Sequence, residues 1–352
     1  MRTRIVDARS PASTLLGRLL VQVGPGEAGE FVDLAATGAA GMILSGGTGA
    51  LTARDLRRRG YKGALLMDRQ RYRGAARATA DAQFDPNWLN QQREAQVNCV
   101  LTDSGYVASG DIGGLGSVLD RTARISDAAA VLALANSWLQ GADLRRLIDC
   151  TRGFTQPIAL VIEHAGDPFS SRRILDGVLE FLDSGPPVIA LCSDISALGL
   201  LANGAVAAGY GCRSSLRHLY PVRSGGGPKI DRPEAALWPT GMALHYVDGL
   251  YDAAMIDRGA PQWECACYLC NGLSVERLVT VPKLEVHQHN YAGLLERHRE
   301  LAGAPADDRP RVWREWCDLA IERHNELTGT LRIPRSLRNW GSPQDPVAAA
   351  RS

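Results

Sequence analysis

Short apolar runs recur along the chain, and each is followed by a stretch of helical character. "LLVQVGPGE" (19–27), "GMILSGG" (41–47), "GALLMD" (63–68), "VNCVLTDSG" (97–105), "PIALVIEH" (157–164), "PVIALCSD" (187–194) and "AVAAGYG" (205–211) form the series. Runs this short, apolar on nearly every residue, fit strands buried on both faces. Their alternation with helical stretches predicts parallel strands joined by crossover helices. "DAAAVLALANSWLQGADLRRLIDC" (127–150) reads as helical, and an eighth strand is placed in "AALWPTGMALHYV" (235–247). Seven or eight such units predict an α/β protein of the closed (β/α)8, TIM-like kind rather than an open doubly wound sheet. No GxGxxG follows the first strand and no GxxxxGK[ST] occurs, so neither nucleotide-binding fingerprint is present.

The chain has 352 residues, of which 45% are hydrophobic, enough for a sizeable core. Its 39 basic and 38 acidic residues nearly cancel, which argues against a dedicated non-specific nucleic-acid binder while leaving room for a local basic patch. "MRTRIVDARSPAS" does not read as a secretory signal, and no run is long enough to span a membrane. Five of the eight cysteines are scattered in or near apolar runs, as buried reduced thiols are. A cytoplasmic protein is expected.

In a barrel, residues just past the strand C-termini face the active site. That rule nominates Ser45, Asp68, Asp103, Glu163, His164, Asp194 and Arg213. Asp103, Glu163 and Asp194 would be three acids around one mouth, although each could instead cap a helix or pair with a cation. Arg69, Arg71 and Arg73, together with Arg213, Arg217 and His218, would suit contacts to a phosphate backbone. "RSGGGPKIDRPE" (223–234) reads as a loop.

The remaining cysteines, Cys265, Cys267 and Cys270, lie in "ECACYLCNG". Cys-x-Cys-x2-Cys brings three soft sulfurs onto one turn, and a tetrahedral Zn2+ needs a fourth ligand, usually Cys or His. His287 and His289 both lie within reach. Three sulfurs and one nitrogen leave no open position, so the site would be structural, stapling a small segment. Two amphipathic helices follow, "YAGLLERHREL" and "RVWREWCDLAIERHNELTG", the second with Trp313, Trp316 and Leu319 expected on its apolar side. The expected organisation is a barrel over 1–250, a zinc-binding subdomain with C-terminal helices over 251–340, and a flexible tail over 341–352.

"VLTDSGY" (100–106), followed far downstream by Cys-x-Cys-x2-Cys and then His289–Asn290, resembles the tRNA-guanine transglycosylase superfamily over about residues 19–300. The resemblance implies a (β/α)8 barrel with a zinc subdomain and selects His289 as the fourth ligand. It implies base exchange at an N-glycosidic bond, a guanine being replaced by a 7-deazapurine through a covalent glycosyl-carboxylate intermediate. By motif match Asp103 would handle the base, with Ser104, Gly105 and Tyr106 lining its pocket. Glu163 and Arg213 are added as substrate-binding candidates from barrel geometry.

The sequence departs from the family pattern in three places. The second Gly after Asp-Ser-Gly is missing, Gly211 stands where the family's nucleophilic Asp is expected, and no Gly-Gly-Leu-Ala-Val-Gly stretch occurs. Asp194 is the substitute nucleophile on barrel geometry, with Asp231 and Asp248 as alternatives. The implied partners are tRNA or DNA and a free purine or 7-deazapurine base, with a homodimer or a heteromeric partner. Shortened loops resemble the DNA-acting relatives. The alternative is a catalytically silent paralogue that binds nucleic acid or a partner subunit.

Overall fold

A computed structural model of the chain describes residues 10–222, 233–327 and 330–342. These fall into two compact units, one built from residues 10–168 and 176–222, the other from 233–327, 330–342 and the segment 169–175, which includes the first turn of the helix Arg172–Ser184.

In chain order the first unit runs β1 (Arg18–Val23), α1 (Val32–Ala35), β2 (Ala40–Ser45), α2 (Gly49–Arg58), β3 (Ala64–Asp68), α3 (Pro86–Glu94), β4 (Val100–Leu101), β5 (Tyr106–Val107), α4 (Ile112–Thr122), β6 (Ala128–Ala135), α5 (Gly141–Thr151), β7 (Ile158–Glu163), α6 (Arg172–Ser184), β8 (Val188–Ser193), α7 (Ser196–Ala202) and β9 (Ala207–Gly211). The strands are almost wholly buried, as their uninterrupted apolar runs require. They pair in parallel in the order β3-β2-β1-β9-β8-β7-β6-β4, and β5 extends the β4 position along β6. Eight strand positions therefore follow the chain order around a TIM-like barrel. β3 and β4 share no ladder. There Asn98 bridges the gap: its N–H donates to the Leu65 carbonyl at 2.9 Å, and its Oδ1 accepts from the Leu65 N–H at 2.7 Å.

Two sequence expectations need correction. Residues 128–135 form a strand, β6, followed by a 3-10 turn over Asn136–Leu139 and an α-helix over 141–151. The Ala/Leu composition favours a helix, but the segment is apolar all round, and burial between sheet neighbours overrides propensity. The eighth barrel strand is β9, not a segment of 235–247.

The fourth strand position is interrupted. Leu101 pairs with Ala129 and Tyr106 with Ala133, so Thr102–Gly105 bulges by one residue against β6. "TDSG" thus lies within the strand rather than ending it. Thr102 Oγ1 accepts the Val131 N–H at 2.9 Å in place of a ladder carbonyl, and lies 2.8 Å from Ser104 Oγ. At Gly105 a Cβ would sit 2.1 Å from the Thr79 carbonyl oxygen. Only glycine lets the loop after β3 approach this closely, and that loop is fixed by the Tyr106 N–H donating to the Ala78 carbonyl at 2.8 Å.

The second unit contains β10 (Ala235–Trp238) paired antiparallel with β11 (Ala243–Tyr246), followed by α8 (Val247–Ile256), α9 (Lys283–Gly303), α10 (Arg309–Glu326) and α11 (Arg335–Trp340). Trp238 stacks on Trp263 at 5.1 Å and meets His324 edge-on at 4.9 Å. On α10 the buried face is Trp313, Cys317, Ala320, Ile321 and His324, whereas Leu319 is exposed, contrary to expectation. The tail from residue 343 and most of the Gly-rich 223–234 loop, with Asp231, lie outside the described residues.

Candidate metal centre and barrel-mouth site

The three cysteines of "ECACYLCNG" sit on a tight knuckle. The N–H groups of Cys270 and Asn271 donate to the Cys267 carbonyl, and the Gly272 N–H donates to the Cys265 carbonyl. Asn271 and Gly272 take positive φ to turn the chain. α9 brings His289 over the knuckle, its Nδ1 lying 3.9, 3.6 and 3.2 Å from the sulfurs of Cys265, Cys267 and Cys270. All four residues are buried, and their ligand atoms lie within 4.8 Å of one another.

A tetrahedral ion at ordinary Zn–S and Zn–N bond lengths would hold sulfur and nitrogen about 3.6 Å apart, so the spacing fits. The second ring nitrogen fixes the tautomer. His289 Nε2 lies 2.9 Å from the Leu237 carbonyl, to which it can only donate, and this turns the Nδ1 lone pair toward the sulfurs. Asn290 clamps the same strand, accepting from the Leu237 N–H at 2.6 Å and donating to the Ala235 carbonyl at 2.8 Å. His287 is not in the cluster; its Nε2 lies 2.9 Å from Glu234 Oε2. These four residues can therefore hold a metal ion, with no ligand position left over for chemistry.

At the C-terminal ends of the barrel strands, two closed networks take up several of the nominated residues. The first centres on Gln22 of β1. Its Nε2 donates to Ser45 Oγ at 2.8 Å, Asp68 Oδ2 at 3.3 Å and Cys192 Sγ at 3.3 Å, and its Oε1 accepts from the Cys192 N–H at 2.8 Å. Tyr72 donates to Asp68 Oδ2 at 2.6 Å. Burial pushes the Asp68 carboxyl above its usual range and the Cys192 thiol likewise. Cys192 has φ 53°, a left-handed conformation that is rare for a side-chain-bearing residue. Sequence reading missed Gln22, Tyr72 and Cys192. The one signal available was a glutamine inside the otherwise apolar "LLVQV".

The second network closes over Asp103, whose side chain has no exposure. Its Oδ2 accepts from Arg69 Nη1 at 2.8 Å and Arg71 Nη1 at 2.9 Å, and its Oδ1 accepts from the Asp85 N–H at 3.1 Å. In this arrangement the carboxylate ties the bulge to the loop after β3. Arg69 and Arg71 are spent on it. Arg73 donates to the carbonyls of Ser215 and His218 and to Cys192 Sγ. All three arginines thus bond acceptors within the protein, with the Arg69 and Arg71 side chains 30% and 29% exposed.

Glu163 ends β7, and Asp194 and Arg213 follow β8 and β9; Tyr106 begins β5, and the loop after β3 brings in Arg77, which the sequence did not flag. The Arg77 guanidinium lies 3.5 Å over the Tyr106 ring and donates through Nη1 to Glu163 Oε1 at 2.6 Å. Tyr106 donates to Glu163 Oε2 at 2.5 Å. Burial, then this contact with Glu163, pushes the Tyr106 hydroxyl well above its usual range.

Asp194 follows β8, and its Oδ1 accepts from the Ser196 N–H at 2.8 Å at the start of α7. Burial pushes His218 down to about 4, against the pull of Asp194, and no described residue bonds its Nε2. His164 Nδ1 accepts from the Gly166 N–H at 3.1 Å. Arg213 pairs with Glu27 yet stays about half exposed, and Arg217 donates to the Gly211 carbonyl. Asp248 is exposed in the first turn of α8, in the second unit.

No helix among the described residues is long and apolar enough to cross a membrane. No protein-family model matches the chain, and no curated protein does. Among solved structures, the chain is similar to a point variant of the carboxyl transferase domain of Rhizobium etli pyruvate carboxylase with pyruvate. The TM-score is 0.38 and the identity 10%, over 92% of this chain and 57% of that one. The chain thus spans little more than half the length of that structure.

Proposed function

We propose that the barrel is a base-exchange transferase acting at an N-glycosidic bond in tRNA or DNA, replacing guanine with a 7-deazapurine. One observation carries this reading: a planar, nitrogen-rich group already lies on Tyr106 with an N–H aimed at Glu163. A guanidinium has the same N–C(N)–N edge that guanine presents at its N1–H and exocyclic amine. Glu163 can accept such an edge, and the Tyr106 face can carry the ring behind it.

Asp194 is the proposed nucleophile. Its carboxylate oxygen forms a bond to C1′ as the C1′–N9 bond breaks, and the electron pair leaves with the base. The leaving guanine takes up a proton from water, and the incoming 7-deazapurine gives its N9 proton to water as it bonds to C1′ and the C1′–O bond to Asp194 breaks. A carboxylate suits this role because C1′ carries positive charge in the transition state. Asp103, sealed by two arginines, takes no part in base recognition here, so that role passes to Glu163. Arg213, half exposed beyond β9, would meet backbone phosphate.

The Cys3His cluster is proposed to hold Zn2+ in a closed, structural site. The bound ion supplies folding free energy, and the chain's own part is to orient His289 through Leu237 and to anchor α9 on β10 through Asn290.

A second reading, a catalytically silent paralogue that binds nucleic acid or a partner subunit, is favoured by the sealing of Asp103. Incubation with labelled guanine or a 7-deazaguanine against tRNA and duplex DNA, followed by nucleoside analysis, separates the two. Incorporation that disappears in Asp194→Ala supports exchange. No incorporation into either polymer refutes exchange and leaves the silent reading.

A further inference from the structure

We propose that Arg77 is a built-in competitor: its guanidinium occupies the base position and must be displaced before a base can bind. The inference rests on the reading of Tyr106 and Glu163 as the base site, and adds a self-blocking device to it.

Three observations support displacement rather than a fixed wall. The Arg77 side chain keeps 24% exposure, so it has a route to water, while Glu163 keeps 14%. Its bond to Glu163 uses one nitrogen on one oxygen, and the other oxygen accepts from Tyr106. A purine edge also offers two parallel N–H groups and brings a wider face to the ring, so it can take the place of the guanidinium at both contacts. The backbone on the C-terminal side of Arg77 is pinned, because Tyr106 donates to the Ala78 carbonyl and Gly105 has no room for a Cβ against Thr79. Displacement is therefore a rotation of one side chain, with the loop left in place. It costs a cation–π contact and a partly exposed ion pair.

The test is calorimetric titration of the full chain with free guanine, and separately with methylguanidinium, comparing wild type, Arg77→Ala and Arg77→Lys. Lysine keeps the charge and loses the plane. The expected result is guanine binding about tenfold tighter in Arg77→Ala than in wild type, Arg77→Lys falling between, and methylguanidinium bound by Arg77→Ala alone. Equal or weaker guanine binding in both variants, with wild type binding guanine, overturns the competitor and leaves the base site standing. Methylguanidinium bound by Arg77→Ala with no guanine binding by any form shows that a guanidinium fits the vacated place, but it sinks the base-site reading and the competitor with it. No binding of either probe by any form overturns both.

Discussion

Asp103 is the residue at which motif and geometry part, and its substitution separates them. In Asp103→Ala the acceptor of Arg69, Arg71 and the Asp85 N–H is lost. Removing one side of a buried ion pair costs about 3–5 kcal/mol. The arginines are only partly buried, at 30% and 29% exposure. Arg69 also keeps Asp85 at 2.8 Å, and Arg71 keeps the Gln83 carbonyl at 2.9 Å. The low end, about 3 kcal/mol, is therefore expected. For a unit of this size that is a fall in Tm of roughly 6–12 °C. Asp103→Asn, which retains one acceptor oxygen and the shape, should lose about half as much. Thermal unfolding followed by circular dichroism, with metal content measured on the same samples, reads the effect. Metal content should not change, since the ligands lie in the other unit. If Asp103→Ala melts within about 1 °C of wild type and base exchange vanishes, the anchor argument is wrong and the carboxylate belongs to the chemistry.

Cys270→Ala should lose bound zinc and lower Tm, because metal binding here is folding free energy; metal analysis showing unchanged zinc would contradict it. Gly105→Ala should be destabilising by several degrees and should shift Arg77 from Tyr106, since its Cβ would meet the Thr79 and Ala78 carbonyls; a normal melting curve would contradict the close approach. Burial depresses His218 and His245 to about 4 in the folded chain. The unfolded chain binds those protons first, so this stability is complete above about pH 6.5 and is lost as pH falls toward 4. His245→Gln should flatten that part of a Tm-against-pH curve, and an unaltered slope would remove His245 as a source.

The barrel was legible because strands buried on both faces leave continuous apolar runs, and nearly every such run became a strand. The misreading was "AAAVLALA", also a strand, where composition argued for helix and only its place between β5 and β7 decides otherwise. A hairpin strand and a barrel strand have the same local pattern, so β10 and β11 could not be told from an eighth barrel strand. The metal ligands were legible because thiolate spacing is set by one turn of chain, and His289 is where the motif put it. The mouth was legible only as acids at strand ends. Which carboxylate stays open depends on which arginines fold back over it, and Arg69, Arg71 and Arg77 all come from one loop whose path no periodicity encodes.

The junction between β3 and β4 makes Asn98 the clasp of the cylinder. The other seven junctions are laddered; here, among the described residues, two Asn98 bonds and the Arg69 and Arg71 contacts to Asp103 hold the seam, and releasing them together would turn a ring without edges into a curved sheet with two. Each rim would then offer unpaired peptide groups to whatever strand came near, including the same rim of another molecule.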